Sequence, residues 1–362
     1  MSLLWKQVYK HIVNGKKKLR LFAASFLIFS ISGCYVTRLA FHHNNLFNSR
    51  RLISEVYSDK QTSEKIKKKI ISLQKILSFA REEGLNVENA YRYYIEIDQD
   101  VVSYIVQAAH QDKLKNIYWW FPIVGSVPYL GFYDQTERDE KAAELRLKGY
   151  DVYEGDVGAF SSLGWFEDPI YSSMFRRSTA SLANLVFHEL VHRTYWVPGS
   201  TTFNENVATY LADALTVKFL QKNKWNKMLI FYNQKKNDKK LYKKWLSELK
   251  TTLEELYEKF PVGDKKLLIE EKNDIYRVFT QKKRPAFEVV DYIGDGPWNN
   301  ATFLAASLYN PDLGSFKKAF LCSDARNAGE FLHLIQSKLE IFSDPFEALQ
   351  DFCPGSDSAT NE

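Results

Sequence analysis

The stretch 185–196, LVFHELVHRTYW, decides how the chain is read. Within it, His188-Glu189-Leu190-Val191-His192 sets two histidines four residues apart. On an α-helix, residues i and i+4 share a face, so both imidazoles can reach one metal ion. Zinc accepts histidine nitrogen at about 2.0–2.1 Å. Glu189 follows the first histidine and projects beside such an ion. There it can take a proton from an attacking water and return it to a leaving amine. Leu182, Leu185, Val186, Leu190 and Val191 supply a buried side, and Ser178 or Thr179 can cap the start. The spacing therefore predicts a helix running to about Tyr195. The bland alternative is a core helix whose histidines bond only carbonyls or acids.

A catalytic zinc ion needs a third protein ligand and an open position. The metzincin pattern requires Gly at 195 and His at 198, and Tyr195 and Pro198 exclude it. The next acid is Glu205, in Phe203-Asn204-Glu205-Asn206-Val207-Ala208. Trp196 to Thr202 (WVPGSTT) breaks the first helix, and a second is expected from about Phe203 to Leu220. The Pro198-Gly199 turn can fold that helix back and bring Glu205 to the imidazoles, giving a His, His, Glu set. Thr202-Phe203-Asn204-Glu205 is also a capping box, in which Glu205 would only bond the cap amide. Asp213, two turns further on, is the alternative acid.

Further outward, the texture divides. Residues 35–116 read as helical, with apolar spacing of three and four over Thr62–Glu83 and Val87–His110, and Gly84 between them. From Ile117, aromatic and β-branched residues crowd together with Pro122, Gly125, Pro128 and Gly131, as in short strands and turns. A helix is expected over Gln135–Lys148, and strands over Tyr150–Tyr153 and Gly158–Phe166. Helical texture returns to about residue 350, near Lys239–Lys259, Asp264–Lys283, Asn299–Tyr309, Ser315–Leu321 and Ala328–Leu339. The expected class is α+β, mostly helical, with a small β-sheet preceding the histidine helix. The expected organisation is a leader at 1–33, a helical region at 34–116, a catalytic core at 117–220, a helical region at 221–353 and a polar tail at 354–362.

The net charge of +5 misleads. Lys6, Lys10, Lys16, Lys17, Lys18 and Arg20 precede residue 34, and no acid does; without them the net charge is −1. That leaves no electrostatic footprint for nucleic acid. The Lys-rich stretch from Lys222 to Lys250 reads as a solvated helix face. Lys16–Arg20 followed by the apolar Leu21–Ser30 and by Ile31-Ser32-Gly33-Cys34 resembles a bacterial lipoprotein leader, with an uncleaved signal anchor or a buried helix carrying an incidental Cys as the alternatives. Its apolar run is short for a spanning helix. Cleavage there would leave Cys34 lipidated, anchored in the bacterial membrane, with the rest of the chain outside the cytoplasm. Cys322 and Cys353 could pair in an oxidising compartment or remain separate buried thiols.

At this point the sequence resembles the zinc aminopeptidases of bacterial lipoproteins, distant members of the gluzincin group. The likeness runs from about Cys34 to about residue 335. It is carried by FPIVGSVPYLGFYD (121–134), KGYDVYEGDVGAFSSLGWFEDPI (148–170), LVFHELVHRTYW (185–196) with FNENVATY (203–210), and NNATFLAASLY (299–309). The resemblance implies a zincin-like fold, one Zn2+ held by His188, His192 and Glu205, Glu189 as base, and peptides as substrate. It also implies that Asn204 and Ala208 belong to an N-E-x-x-A variant of the third-ligand helix. Thr209 stands where other gluzincins have Asp, which leaves the outer partner of the histidines unassigned.

In such peptidases an edge strand before the catalytic helix pairs with extended substrate. Ala159, Phe160 and Ser161 are the candidates here, with a buried strand as the alternative. Asn300 is a further candidate for substrate binding. A hydroxyl such as that of Tyr309 can stabilise an oxyanion, although a core aromatic is the commoner use of tyrosine. The rival to catalysis is a silent zinc-binding envelope lipoprotein that serves as a scaffold.

Overall fold

The computed structural model describes residues 48–98, 101, 103–121, 125–157, 169–260, 264–308 and 313–353. The helices are α1 (Ile53–Ser58), α2 (Glu64–Glu82), α3 (Gln135–Leu147), α4 (Ser172–Phe175), α5 (Thr179–Thr194), α6 (Thr201–Lys222), α7 (Asn226–Lys259), α8 (Lys265–Gln281), α9 (Asn300–Leu308), α10 (Gly314–Cys322), α11 (Ala328–Lys338) and α12 (Pro345–Gln350). The strands are β1 (Arg51–Leu52), β2 (Tyr93–Ile95), β3 (Ser103–His110), β4 (Trp119–Phe121), β5 (Gly125–Val127), β6 (Tyr129–Phe132), β7 (Tyr150–Val157) and β8 (Ile170–Tyr171). The protein is α+β, dominated by helix, with small sheets. None of the described helices is long and apolar enough to cross a membrane.

Trp119–Val127 groups with the residues up to Ser49 as one compact unit. Its described part is the antiparallel hairpin β4–β5, with Trp120 opposite Ser126. Arg50–Tyr118 and Pro128–Glu362 form the other unit.

In the larger unit, β3 is the middle strand of an antiparallel sheet ordered β6-β3-β7. This corrects the expected helix over Val87–His110, and the sheet draws on residues from both sides of position 117. Asn89 and Tyr91 adopt positive φ, 56° and 55°, which no α-helix accommodates. Beyond them, β2 pairs antiparallel with β1 and parallel with β8. The expected helices elsewhere are present, and α7 starts earlier than expected, at Asn226.

The core forms where the apolar faces of α2, α5 and α6 meet. Ile70, Leu73, Ile76 and Phe79 of α2 are buried, as are Leu182, Val186, Phe187 and Leu190 of α5. Phe203, Val207, Leu211 and Phe219 of α6 complete the set. Phe79, Phe187 and Phe219 pack as a triangle with ring centroids 5.4–5.9 Å apart. A second cluster joins Trp245, Leu249 and Leu253 of α7 to Tyr276 and Phe279 of α8 and Phe303 of α9. At one seam backbone meets backbone. Gly329 N–H donates to the Glu83 carbonyl, and a Cβ on Gly329 would lie 2.5 Å from the Gly84 oxygen. Gly84 itself needs glycine's freedom at φ +78°. Cys322 and Cys353 form a disulfide that ties the end of α10 to the chain just after α12.

Candidate metal centre

α5 is anchored at its start by Ser178, whose hydroxyl accepts the Ser181 N–H. Its apolar stripe faces the core, which turns His188 and His192 toward the start of α6. The helix stops at Tyr195, where the backbone becomes extended. Five residues then reverse the chain, with Gly199 at φ +77° in the Pro198-Gly199 turn. Asn204, fully buried, closes this connection from the far side. Its side-chain oxygen accepts the Val197 N–H at 2.9 Å, and its amide donates to the Val197 carbonyl at 2.8 Å. The residue after this clamp is Glu205.

The Nε2 atoms of His188 and His192 lie 3.1 Å apart. One Glu205 oxygen is 3.3 Å from His188 Nε2, and the other is 3.3 Å from His192 Nε2. These three are the group among the described residues that could hold a metal ion. Zinc bonds of about 2.0–2.1 Å in a tetrahedron give ligand-to-ligand edges of about 3.3–3.4 Å. The Nε2–Nε2 separation is close to one such edge, and one ligand atom from each of the three residues lies within 4.8 Å of the others, so His188, His192 and Glu205 could close on a single ion. Three electron-pair donors converging this closely repel one another unless a cation or a shared proton lies among them. The donor set therefore fits zinc.

Glu205 makes these contacts instead of serving as a cap. α6 begins at Thr201, and Ser200 at its N-cap makes no side-chain capping bond. Burial pushes the Glu205 carboxyl up, but the hydrogen bonds and charge of the two histidines outweigh it and hold the group well below the ordinary carboxylate range. Asp213 is employed elsewhere. It accepts from Asn184 at 3.1 Å and from the Tyr232 hydroxyl at 2.7 Å. Asn184 sits one turn before His188, so this network braces α5 against α6 and α7 beside the centre.

His192 is buried, and Trp196 packs edge-on against its ring at 5.5 Å. His192 Nδ1 has no hydrogen-bond partner among the described residues. The Tyr195 hydroxyl is likewise buried and unpartnered there, and burial pushes its pKa up to about 12. Glu189 is half-buried, directly after His188 on the same helix.

A family model described as "Putative aminopeptidase" matches residues 34–345. The chain belongs to this family. Membership makes it kin to peptide hydrolases, and the matched span takes in α5, α6 and the β6-β3-β7 sheet. No curated protein and no solved structure matches the chain.

The remaining sequence candidates fall in two groups. Cys34, Ala159, Phe160, Ser161 and Tyr309 lie outside the described residues. Asn300 is described, and its place differs from the expectation. Fully buried at the start of α9, it accepts the hydroxyls of Tyr257 and Tyr276 at 2.9 Å each. Its amide donates to the carbonyls of His110 and Lys113, and its N–H donates to Asp151. With oxygen and nitrogen both committed, it joins α9 to the end of β3 and offers nothing to a substrate. Sequence reasoning missed the Val197 clamp, whose only signal is an Asn immediately before Glu205. It also missed the Asn184–Asp213–Tyr232 brace, hinted at by Asn184 standing four residues before His188.

Proposed function

We propose that the protein is a zinc-dependent peptidase, an aminopeptidase by its family, that hydrolyses peptides in the bacterial cell envelope. The observation that carries this reading is the convergence of His188, His192 and Glu205, whose imidazole Nε2 atoms lie 3.1 Å apart with a separate Glu205 oxygen 3.3 Å from each. In this reading the core is zincin-like and gluzincin in its ligand set. Bound zinc would polarise the scissile carbonyl and acidify a water molecule. Glu189 takes the proton from that water as its oxygen attacks the carbonyl carbon. The same carboxyl then delivers the proton to the amine as the C–N bond breaks. Asn204 holds the α5–α6 connection so that Glu205 meets the histidines. Tyr309 as oxyanion donor and 159–161 as the substrate-pairing edge complete the proposal.

Cys34 carries the lipid in this reading, with the folded chain outside the cytoplasm. The Cys322–Cys353 disulfide supports an oxidising compartment. Replacing Cys34 by Ala and following membrane partition tests the tether. Elemental analysis of wild type and Glu205→Gln tests the centre. Wild type should hold one zinc per chain, and the variant should bind it far more weakly. Glutamine still serves in a capping box, so normal zinc affinity in Glu205→Gln would overturn the ligand assignment.

A further inference from the structure

The 34-residue helix α7 is charged unevenly along its length. Its final stretch, 247–259, carries Glu248, Glu254, Glu255 and Glu258 against Lys250 and Lys259. The preceding stretch, 226–246, carries seven lysines and one acid, Asp238. That acid does not face the solvent. It is fully buried and accepts the backbone N–H groups of Glu288, Val289 and Val290 at 2.7–2.9 Å. Lys236, Lys240 and Lys244 are four residues apart and form a stripe on the side opposite the buried Tyr242, Trp245 and Leu249. None of the three makes an ion pair with a described residue, whereas Lys250 in the acidic stretch pairs with Glu254. Beside the stripe, Ile230 is 60% exposed and Leu241 42%.

We propose that the first part of α7, residues 226–246, is a docking face for an anionic phospholipid surface. The lysines supply a positive field, and no exposed acid of α7 stands among them between residues 226 and 246. The exposed Ile230 and Leu241 supply apolar contact at the headgroup level, as in helices that lie in a membrane interface. A soluble polyanion would be served by the lysines alone and gains nothing from the apolar flank. The choice of a membrane also rests on the tether proposed at Cys34, which would hold the chain at a lipid surface.

The test distributes the full-length protein between vesicles of pure phosphatidylcholine and vesicles containing about one-third phosphatidylglycerol. A lipid tether favours both kinds alike, so the ratio reads the docking face. The wild type should favour the anionic vesicles, and Lys236→Gln/Lys240→Gln/Lys244→Gln should lose about 100-fold of that preference, near fivefold per lysine. High salt should erase the difference. Zinc content and peptide hydrolysis should be the same in wild type and variant. A chain that leaves neutral vesicles but still binds anionic ones through these lysines would break the tether reading and uphold the docking face. An even distribution of the wild type, or a variant that keeps the full preference, would overturn it. Displacement from anionic vesicles by an equal amount of a short oligonucleotide would overturn it in favour of nucleic acid.

Discussion

Two polar clusters inside this protein are built on opposite rules. Around Asn300, every demand is answered by the chain itself. Asp151 takes the Lys272 ammonium at 2.7 Å and the Asn300 N–H at 3.0 Å, with Lys272 1% exposed. Two tyrosine hydroxyls and the carbonyls of His110 and Lys113 use the rest of the Asn300 side chain. Burial holds the Tyr257 and Tyr276 phenols well above their ordinary value, so both remain donors at any physiological pH. Around His188, His192 and Glu205, two imidazoles and a carboxylate converge instead, and His192 Nδ1 has no partner among the described residues. A buried polar group left without a partner is costly. The first cluster is closed by the chain itself, and the second is a group that could hold a metal ion.

The widest separation between the clusters comes from His192→Ala. It removes a ligand, so zinc and peptide hydrolysis should both be lost while the circular dichroism spectrum is kept. Glu189→Gln should bind zinc normally and lose about 10²–10⁴-fold in hydrolysis, the usual worth of a positioned acid–base group. A Glu189→Gln protein with full zinc-dependent activity refutes the proposed chemistry.

Asp151→Ala should show the reverse. It strands a buried ammonium, at a cost of about 3–5 kcal/mol in denaturant unfolding, and leaves zinc affinity of the folded protein unchanged. Asn204→Ala falls between the two. Loss of two hydrogen bonds to Val197 should cost about 1–3 kcal/mol of stability and weaken zinc binding, because Glu205 loses its register. Equal zinc affinity in wild type and Asn204→Ala would make the clamp purely structural.

The smallest effect is set by pH. Burial pushes the Asp238 carboxyl up, but three backbone N–H donors more than offset this and hold it below its unfolded value. Its contribution is therefore complete above the unfolded carboxylate pKa and disappears as pH falls through the folded one. Asp238→Asn should flatten the acid limb of the stability profile without moving the pH dependence of hydrolysis.

The centre was legible because helix periodicity is local: a four-residue spacing puts His188 and His192 on one face whatever surrounds them. Glu205 was legible only as one of two uses, cap or ligand, since the α5–α6 turn decides between them. β3 was not legible as a strand. Ser103, Val106, Gln107, Ala108 and Ala109 are all buried, so the alternation that marks a half-buried strand is missing. Asn300 was misjudged for a related reason. Its partners come from β3, β7, α7 and α8, and no window of sequence contains them. The disulfide was open because Cys322 and Cys353 are 31 residues apart, and only packing sets their Cα atoms at 5.7 Å.

The seam between Gly84 and Gly329 sets a timetable. The two backbones touch across about 245 residues of chain, and synthesis at about 5–20 residues per second takes roughly 10–50 s to span them. For that interval the end of α2 waits for a neighbour that has not yet been made. The glycines carry no side chain that could hold an early, wrong partner, so the join is late by construction and admits only another bare backbone.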